Sequence, residues 1–189
     1  MIGFHRNHTA GDKHNYSSPL ELMYDLADSY DSEKAESLEE LYNDCKILES
    51  EYFRKLKELA DKNNLILPVF LLEHGDVKYS TEDFNDSWDS GQVGIIYTSY
   101  DKIKSEYGDT SEESLEKAKS CMKGEVETYS QWANGEVYGF RLIKVDEYNK
   151  VIEEIDSCWG FYGSDPRENG IEGYIPEGFE YLLDEVEYK

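Results

Sequence analysis

Cys158 stands in Asp156-Ser157-Cys158-Trp159, and His74 closes an apolar run that reads as a strand. A thiol within reach of an imidazole is the start of a nucleophile–base pair. Cysteine is equally at home as a small buried hydrophobe, and strand alternation sets Cys158 opposite Trp159. Three aspartates, Asp83, Asp86 and Asp89, crowd one polar stretch and offer oxygens to calcium. The helix–loop–helix calcium pattern fails on them. Counted from Asp86, its third position is Trp88 and its twelfth Tyr97; counted from Asp83, the position that must be glycine is Trp88. His5, His8, Asp12, His14 and His74 are metal-ligand types, but no spacing among them is diagnostic. No phosphate-binding loop, dinucleotide fingerprint, zinc-protease helix or serine-hydrolase elbow occurs. On these grounds no residue is assigned a catalytic or metal-binding role, and no cofactor is expected.

Two stretches repeat one theme. NDSWDSGQVGIIY (85–97) and IDSCWGFYGSD (155–165) each set Asp-Ser beside a tryptophan next to a strand. Asp and Ser bond readily to nearby backbone and shape loops. Gly91 frees the turn into the strand, and Gly94 marks a close backbone approach or a bulge. Were the two strands neighbours, Trp88 and Trp159 would share one region with Asp86, Asp89, Asp156 and Asp165. Trp159, flanked by Cys158, Gly160 and Phe161, is expected to be the more buried; Trp88 keeps part of its ring accessible. Such a region is either a structural corner or a recognition surface of aromatics rimmed by carboxylates. The alternative is a small enzyme, acting on a nucleotide, with its site at Trp88, Asp89, His74 and Asp156.

The elements that position these residues follow from pattern. Pro19 suits a first helical position, and Ser18-x-x-Glu21 is a capping box. Leu38, Leu41, Tyr42, Cys45, Leu48, Tyr52, Leu56 and Leu59 recur every three or four residues, which predicts one helix over 33–62, roughly 45 Å long. LILPVFLLE (65–73) reads as a strand buried on both faces. Gly75-Asp76 turns it into VKYST, and QVGIIYTS returns as a further strand. A short helix over 99–107 is stopped by Gly108, and Thr110-x-x-Glu113 is a second capping box opening a helix to Ala133. EVYGFRLIKV and VIEEIDSCWGFYG form a hairpin turning through 147–150, and GFEYLLDEVEY ends the chain as a short acidic helix. Paired strands with helices between them predict an α+β protein. Its mainly antiparallel sheet has about four to six strands, with packed helices and a long N-terminal helical hairpin. One domain is expected over 1–189, comprising a helical region (18–64), a sheet-containing core (65–163) and an acidic tail (164–189).

Composition sets the physics around that fold. Sixteen tyrosines, seven phenylalanines and three tryptophans argue against a disordered chain. Three scattered cysteines make neither a disulfide framework nor a zinc site. The opening MIGFHRNHTAGDKH is no signal peptide, and no apolar run approaches the ~18 residues of a membrane span, so a reducing cytoplasm is expected. The formal net charge is −23. That sign repels nucleic acid and anionic membrane and attracts basic surfaces. Glu33, Glu36, Glu39, Glu40 and Asp44 concentrate it on the predicted long helix, whose later part carries Arg54, Lys55, Lys57 and Lys62. Acids early and bases late also suit the helix dipole. The expected partner surfaces are this carboxylate stripe with Trp88, Asp89 and Trp159. An isologous homodimer through the long helix is compatible with the pattern.

Five blocks carry a resemblance: HNYSSP (14–19), LPVFLLEHG (67–75), WDSGQVGIIY (88–97), EVETYSQWANGEVYGF (125–140) and DSCWGFYG (156–163). Together the chain resembles a family of small acidic proteins carried by bacteriophages and other mobile elements, mostly in low-GC Gram-positive hosts. The family brings no established activity, so no catalytic residue carries over. What the resemblance implies is context: an inhibitor of host defence, directed at a restriction or CRISPR component in the host cytoplasm. It would occupy the nucleic-acid site of a basic host protein by mimicking a polyanion.

Overall fold

In the computed structural model the described residues are 1–5, 7 and 10–185; His8, among the metal-ligand types, and the end of the predicted terminal helix lie outside them. Helix α1 (Pro19–Asp28) starts as its sequence requires. Ser18 accepts a bond from the Glu21 amide at 3.2 Å, with Pro19 in the first turn. The box closes one residue early, because the Glu21 carboxylate takes the Ser17 amide and hydroxyl, both at 2.6 Å. Leu22, Met23, Leu26 and Ala27 are buried.

The single helix predicted over 33–62 is two helices. α2 (Ser32–Asn43) ends at Asp44, and α3 (Glu49–Ala60) begins after Leu48. The stop is a Schellman motif: the Lys46 amide bonds to the Leu41 carbonyl and the Cys45 amide to that of Tyr42, both at 2.9 Å. Cys45 takes the left-handed conformation, φ 57°, that glycine usually supplies. The chain then folds back so that Tyr42 stacks on Tyr52, centroids 4.7 Å apart and rings 13° from parallel. Tyr52, Leu56 and Ala60 bury α3 against α1 and the sheet. Burial also holds the Tyr52 hydroxyl up at about 12.

Four antiparallel strands make the first sheet: β1 (Ile2–Gly3), β2 (Asn64–His74), β3 (Asp76–Ser80) and β4 (Ser90–Ser99), in the order β1-β4-β2-β3. Asn64 joins helix to sheet, its side-chain amide donating to the Ala60 carbonyl at 3.1 Å. Gly94 lies opposite Gly3, and any Cβ on it would stand 2.2 Å from the Ile2 carbonyl oxygen. The close approach and the bulge expected there are both present, the register slipping between Val69 and Phe70. β2 is not buried throughout: Val69 and Leu71 are, but most of its residues are half-covered.

α4 (Tyr100–Tyr107) is capped by Ser99 and ended by Gly108 at φ 91°. α5 (Glu112–Ala133) begins one residue later than its predicted box. Asp109 and Ser111 cap it instead of Thr110. The Asp109 carboxylate accepts from the Ser111 amide, the Ser111 hydroxyl and the Ser114 hydroxyl, at 3.0, 2.7 and 2.6 Å. Those bonds, the Ser114 hydroxyl first, hold its acid down to about 2.

The chain divides into two compact units, Met1–Glu127 and Thr128–Lys189, the division falling within α5. The second unit contains the predicted hairpin, β5 (Val137–Val145) with β6 (Val151–Tyr162), turning through Asn149 at φ 59°. Its register shifts three times, and the extra residue is on β6 each time; the glycine at one shift, Gly160, has φ 102°. One face packs Phe140, Cys158 and Phe161 on Ile171 and Leu183. In the described part of the predicted terminal helix the chain forms a 3-10 turn at Glu180–Glu185, and another precedes it at Ile171–Tyr174. The protein is thus α+β with antiparallel sheets of four and two strands. Among the described residues no helix is long and apolar enough to cross a membrane.

Candidate functional site

The Asp-Ser groups around Trp88 spend their oxygens on backbone. Asp86 accepts from the Trp88 amide at 2.9 Å and the Asp89 amide at 3.1 Å, and the Ser90 hydroxyl donates back to the Asp86 carbonyl. Asp83 accepts from the Asn85 amide at 2.9 Å, setting Asn85 at φ 55°. The Asp86 carboxyl is lowered below its ordinary range by the Trp88 and Asp89 amides. Asp89 ties the loop to β2 twice: its carbonyl accepts from the Glu73 amide at 2.8 Å, and its carboxylate meets His74 Nδ1 at 2.9 Å. His74 is raised above its ordinary value by that hydrogen bond and by the Asp89 charge. At the tip of this bound loop Trp88 is 94 % exposed.

The second Asp-Ser-Trp repeats the chemistry in another place. Asp156 accepts from the Ser157 amide at 2.8 Å, and the Ser157 hydroxyl donates to Glu154 at 2.9 Å. Asp165 accepts from the Arg167 amide at 2.9 Å. Trp159 spreads over Gly139 on the partner strand, where a Cβ would strike its ring at 2.3 Å. It covers the missing side chain as aromatics do beside strand glycines.

One expectation is corrected here, and one holds in part. β4 belongs to the four-stranded sheet and β6 to the two-stranded one, so the tryptophan strands are neither neighbours nor one strand apart. Trp159 is the more covered of the two, as expected, but at 70 % exposure it is no core residue and stands on the face of the ribbon away from the Phe140–Phe161 cluster. Of the alternative enzymatic set, His74, Asp89 and Trp88 come together, while Asp156 lies on β6 opposite Leu142. Cys158 packs beside Phe140 in the small core of the second unit. Among the described residues no three of His, Cys, Asp and Glu converge as a metal site would require.

The carboxylate stripe is built by α2. Asp31 caps the helix, accepting from the Lys34 amide at 3.1 Å and pairing with the Lys34 ammonium. Ala35 is buried, which turns Glu33, Glu36, Glu39 and Glu40 outward, all exposed. Among the described residues none of these four joins a salt bridge, whereas Asp44, also exposed, pairs with Lys46 at 2.9 Å. Of the bases that follow the stripe, Arg54, Lys55 and Lys57 are in α3 and pair with Glu58, Glu51 and the C-cap Asp61, while Lys62 follows the helix.

Sequence reasoning missed two features of the second unit. Arg141 makes paired bonds to Glu154 across the ribbon, at 2.9 and 2.6 Å. Arg167 bridges Glu172 at 2.8 Å and Asp184 at 2.6 Å beside an open groove lined by Tyr138, Asp165 and Leu183. Strand register could have signalled the first; nothing local signals the second.

What fold and surface define is the class: an acidic α+β protein with an outward carboxylate helix and three exposed tryptophans, Trp88, Trp132 and Trp159. No family model, no curated protein and no solved structure matches the chain.

Proposed function

We propose that this protein is a non-enzymatic inhibitor that binds a basic, nucleic-acid-binding host protein by presenting α2 as a polyanion. In the context that its resemblance implies, the target is a restriction or CRISPR component. The observation that carries the reading is the unpaired stripe on α2. Glu33 to Glu40 spans about 10.5 Å of helix axis at 1.5 Å per residue. Four outward carboxylates over that rise give one charge per roughly 3.5 Å, close to the ~3.4 Å per phosphate along one strand of duplex DNA. Unpaired carboxylates lose no internal partner when they meet a basic groove, and long-range attraction from a −23 chain speeds the encounter.

Binding of this kind weakens steeply with salt, because exposed charges are screened beyond ~10 Å at 0.1 M. The test is capture from lysate of a low-GC Gram-positive host by the immobilised protein, at low and high salt. The same capture is run with Glu36→Lys, Glu39→Lys, Glu40→Lys and Asp44→Lys combined. Loss of capture in the folded variant is expected; undiminished capture would remove the polyanion reading.

A second reading rests on the one contact that favours it, His74 held by Asp89 beside Trp88. In it the protein is a small, nucleotide-directed enzyme. His74→Ala separates the two: biological activity within a few-fold of wild type fits the inhibitor, and loss of several orders of magnitude in a folded variant fits the enzyme.

A further inference from the structure

The outer face of the β5–β6 ribbon is built to meet another surface. Val137 pairs with Tyr162, Gly139 with Trp159, Arg141 with Ser157, Ile143 with Glu154 and Val145 with Val151. All extra residues of the shifts sit on β6, so β5 alternates without interruption and its odd-numbered residues keep to one face. Phe140, on the other face, faces the small core. On the outer face Trp159 is 70 % exposed, Val151 50 %, Val145 42 %, and Ile143 and Tyr162 38 % each. With ~150–250 Å² for a whole aromatic side chain, this patch offers on the order of 500 Å² of apolar surface. A standard interface takes ~800 Å² from each partner, of which ~65 % is apolar in homodimers. The two amounts agree.

Charge selects the occupant. The chain repels its own copy almost everywhere, at −23 each. The outer face is an exception, since its charged groups are Arg141 and Glu154, already paired with one another. A neutral apolar face carrying one base beside one acid is self-complementary. Turned by a two-fold axis, Arg141 of one copy meets Glu154 of the other.

We propose that two copies of this chain associate through the outer faces of their β5–β6 ribbons, as an isologous dimer. The inference is independent of the partner surface on α2. The sign of the salt effect keeps the two apart: added salt screens the repulsion between copies and strengthens the dimer, while it weakens binding to a basic partner.

Sedimentation equilibrium from low to high micromolar protein tests it. A reversible dimer is expected, tighter at higher salt. Ile143→Lys and Val145→Lys should each weaken it at least ~tenfold, equivalent to ~1.4 kcal/mol, with the circular dichroism spectrum unchanged. Trp159→Ser is the less decisive variant, because Trp159 also covers Gly139. A chain that stays monomeric at high micromolar concentration in high salt would overturn the proposal. So would a dimer as tight in folded Ile143→Lys as in wild type.

Discussion

Asp89 shows how one side chain serves both loop and strand. Its carboxylate holds His74 at 2.9 Å while its carbonyl takes the Glu73 amide. The His74 acid is raised by Asp89, so the contribution of this pair has a definite sign. It is fully present below the histidine's ordinary value of 6.5 and is lost as pH rises through the raised folded value. Asp89→Asn should therefore bring the His74 titration, followed by NMR of the ring protons, down toward the ordinary value and loosen the loop around Trp88. An unchanged titration would mean that Asp89 does not hold His74. This pairing was within reach of the sequence, which names His74, Trp88 and Asp89 together. The exposure of Trp159 was not. Its apolar neighbours point to burial, but Gly160 shifts the register and Gly139 leaves an empty place on the outer face for the indole to cover. Flanking composition cannot report which face of a two-stranded ribbon has a core beneath it.

At the scale of elements, two helix ends make the same bonds with different residues. After α5 the Gly135 amide reaches the Trp132 carbonyl and the Glu136 amide that of Gln131, with Gly135 at φ 73°. After α2, Cys45 and Lys46 repeat the pattern with Cys45 at φ 57°. The first end is legible because Asn134-Gly135 announces it. The second is hidden, because no glycine or proline marks it and the apolar period runs on through Leu41, Cys45, Leu48 and Tyr52. A left-handed non-glycine residue costs ~1–2 kcal/mol, and glycine loses ~0.5–1 kcal/mol more backbone freedom on folding. Cys45→Gly should thus leave stability level or raise it by up to about 1.5 kcal/mol, read from urea unfolding, whereas Cys45→Val should lower it. Clear destabilisation by the glycine would contradict the helix stop. The strand pairs, the α4 stop and the Gly94 approach were all legible, since each rests on glycine, on alternation or on a short local cap. The assignment of β4 and β6 to different sheets is a long-range property with no such local signature.

Over the whole molecule, charge is the feature that sequence and structure express in common. The −23 balance is visible in composition, but its use depends on which carboxylates are already satisfied. Those of the 85–90 loop are committed to backbone and to His74, while Glu33, Glu36, Glu39 and Glu40 on α2 stand outward, free of salt bridges among the described residues. The break after Asn43 shortens the charged rod from the length expected of one helix to that of α2, about 18 Å at 1.5 Å per residue. A rod of that length matches a few phosphates rather than a full duplex turn. The expected target therefore has a short basic groove, engaged by α2. Displacement by nucleic acid tests this most directly. Proteins captured from nuclease-treated host lysate should be released from the immobilised chain by added duplex DNA or RNA, and the Glu36→Lys, Glu39→Lys, Glu40→Lys, Asp44→Lys variant should capture none of them. A captured partner that nucleic acid fails to displace, held equally well by that variant, would contradict it.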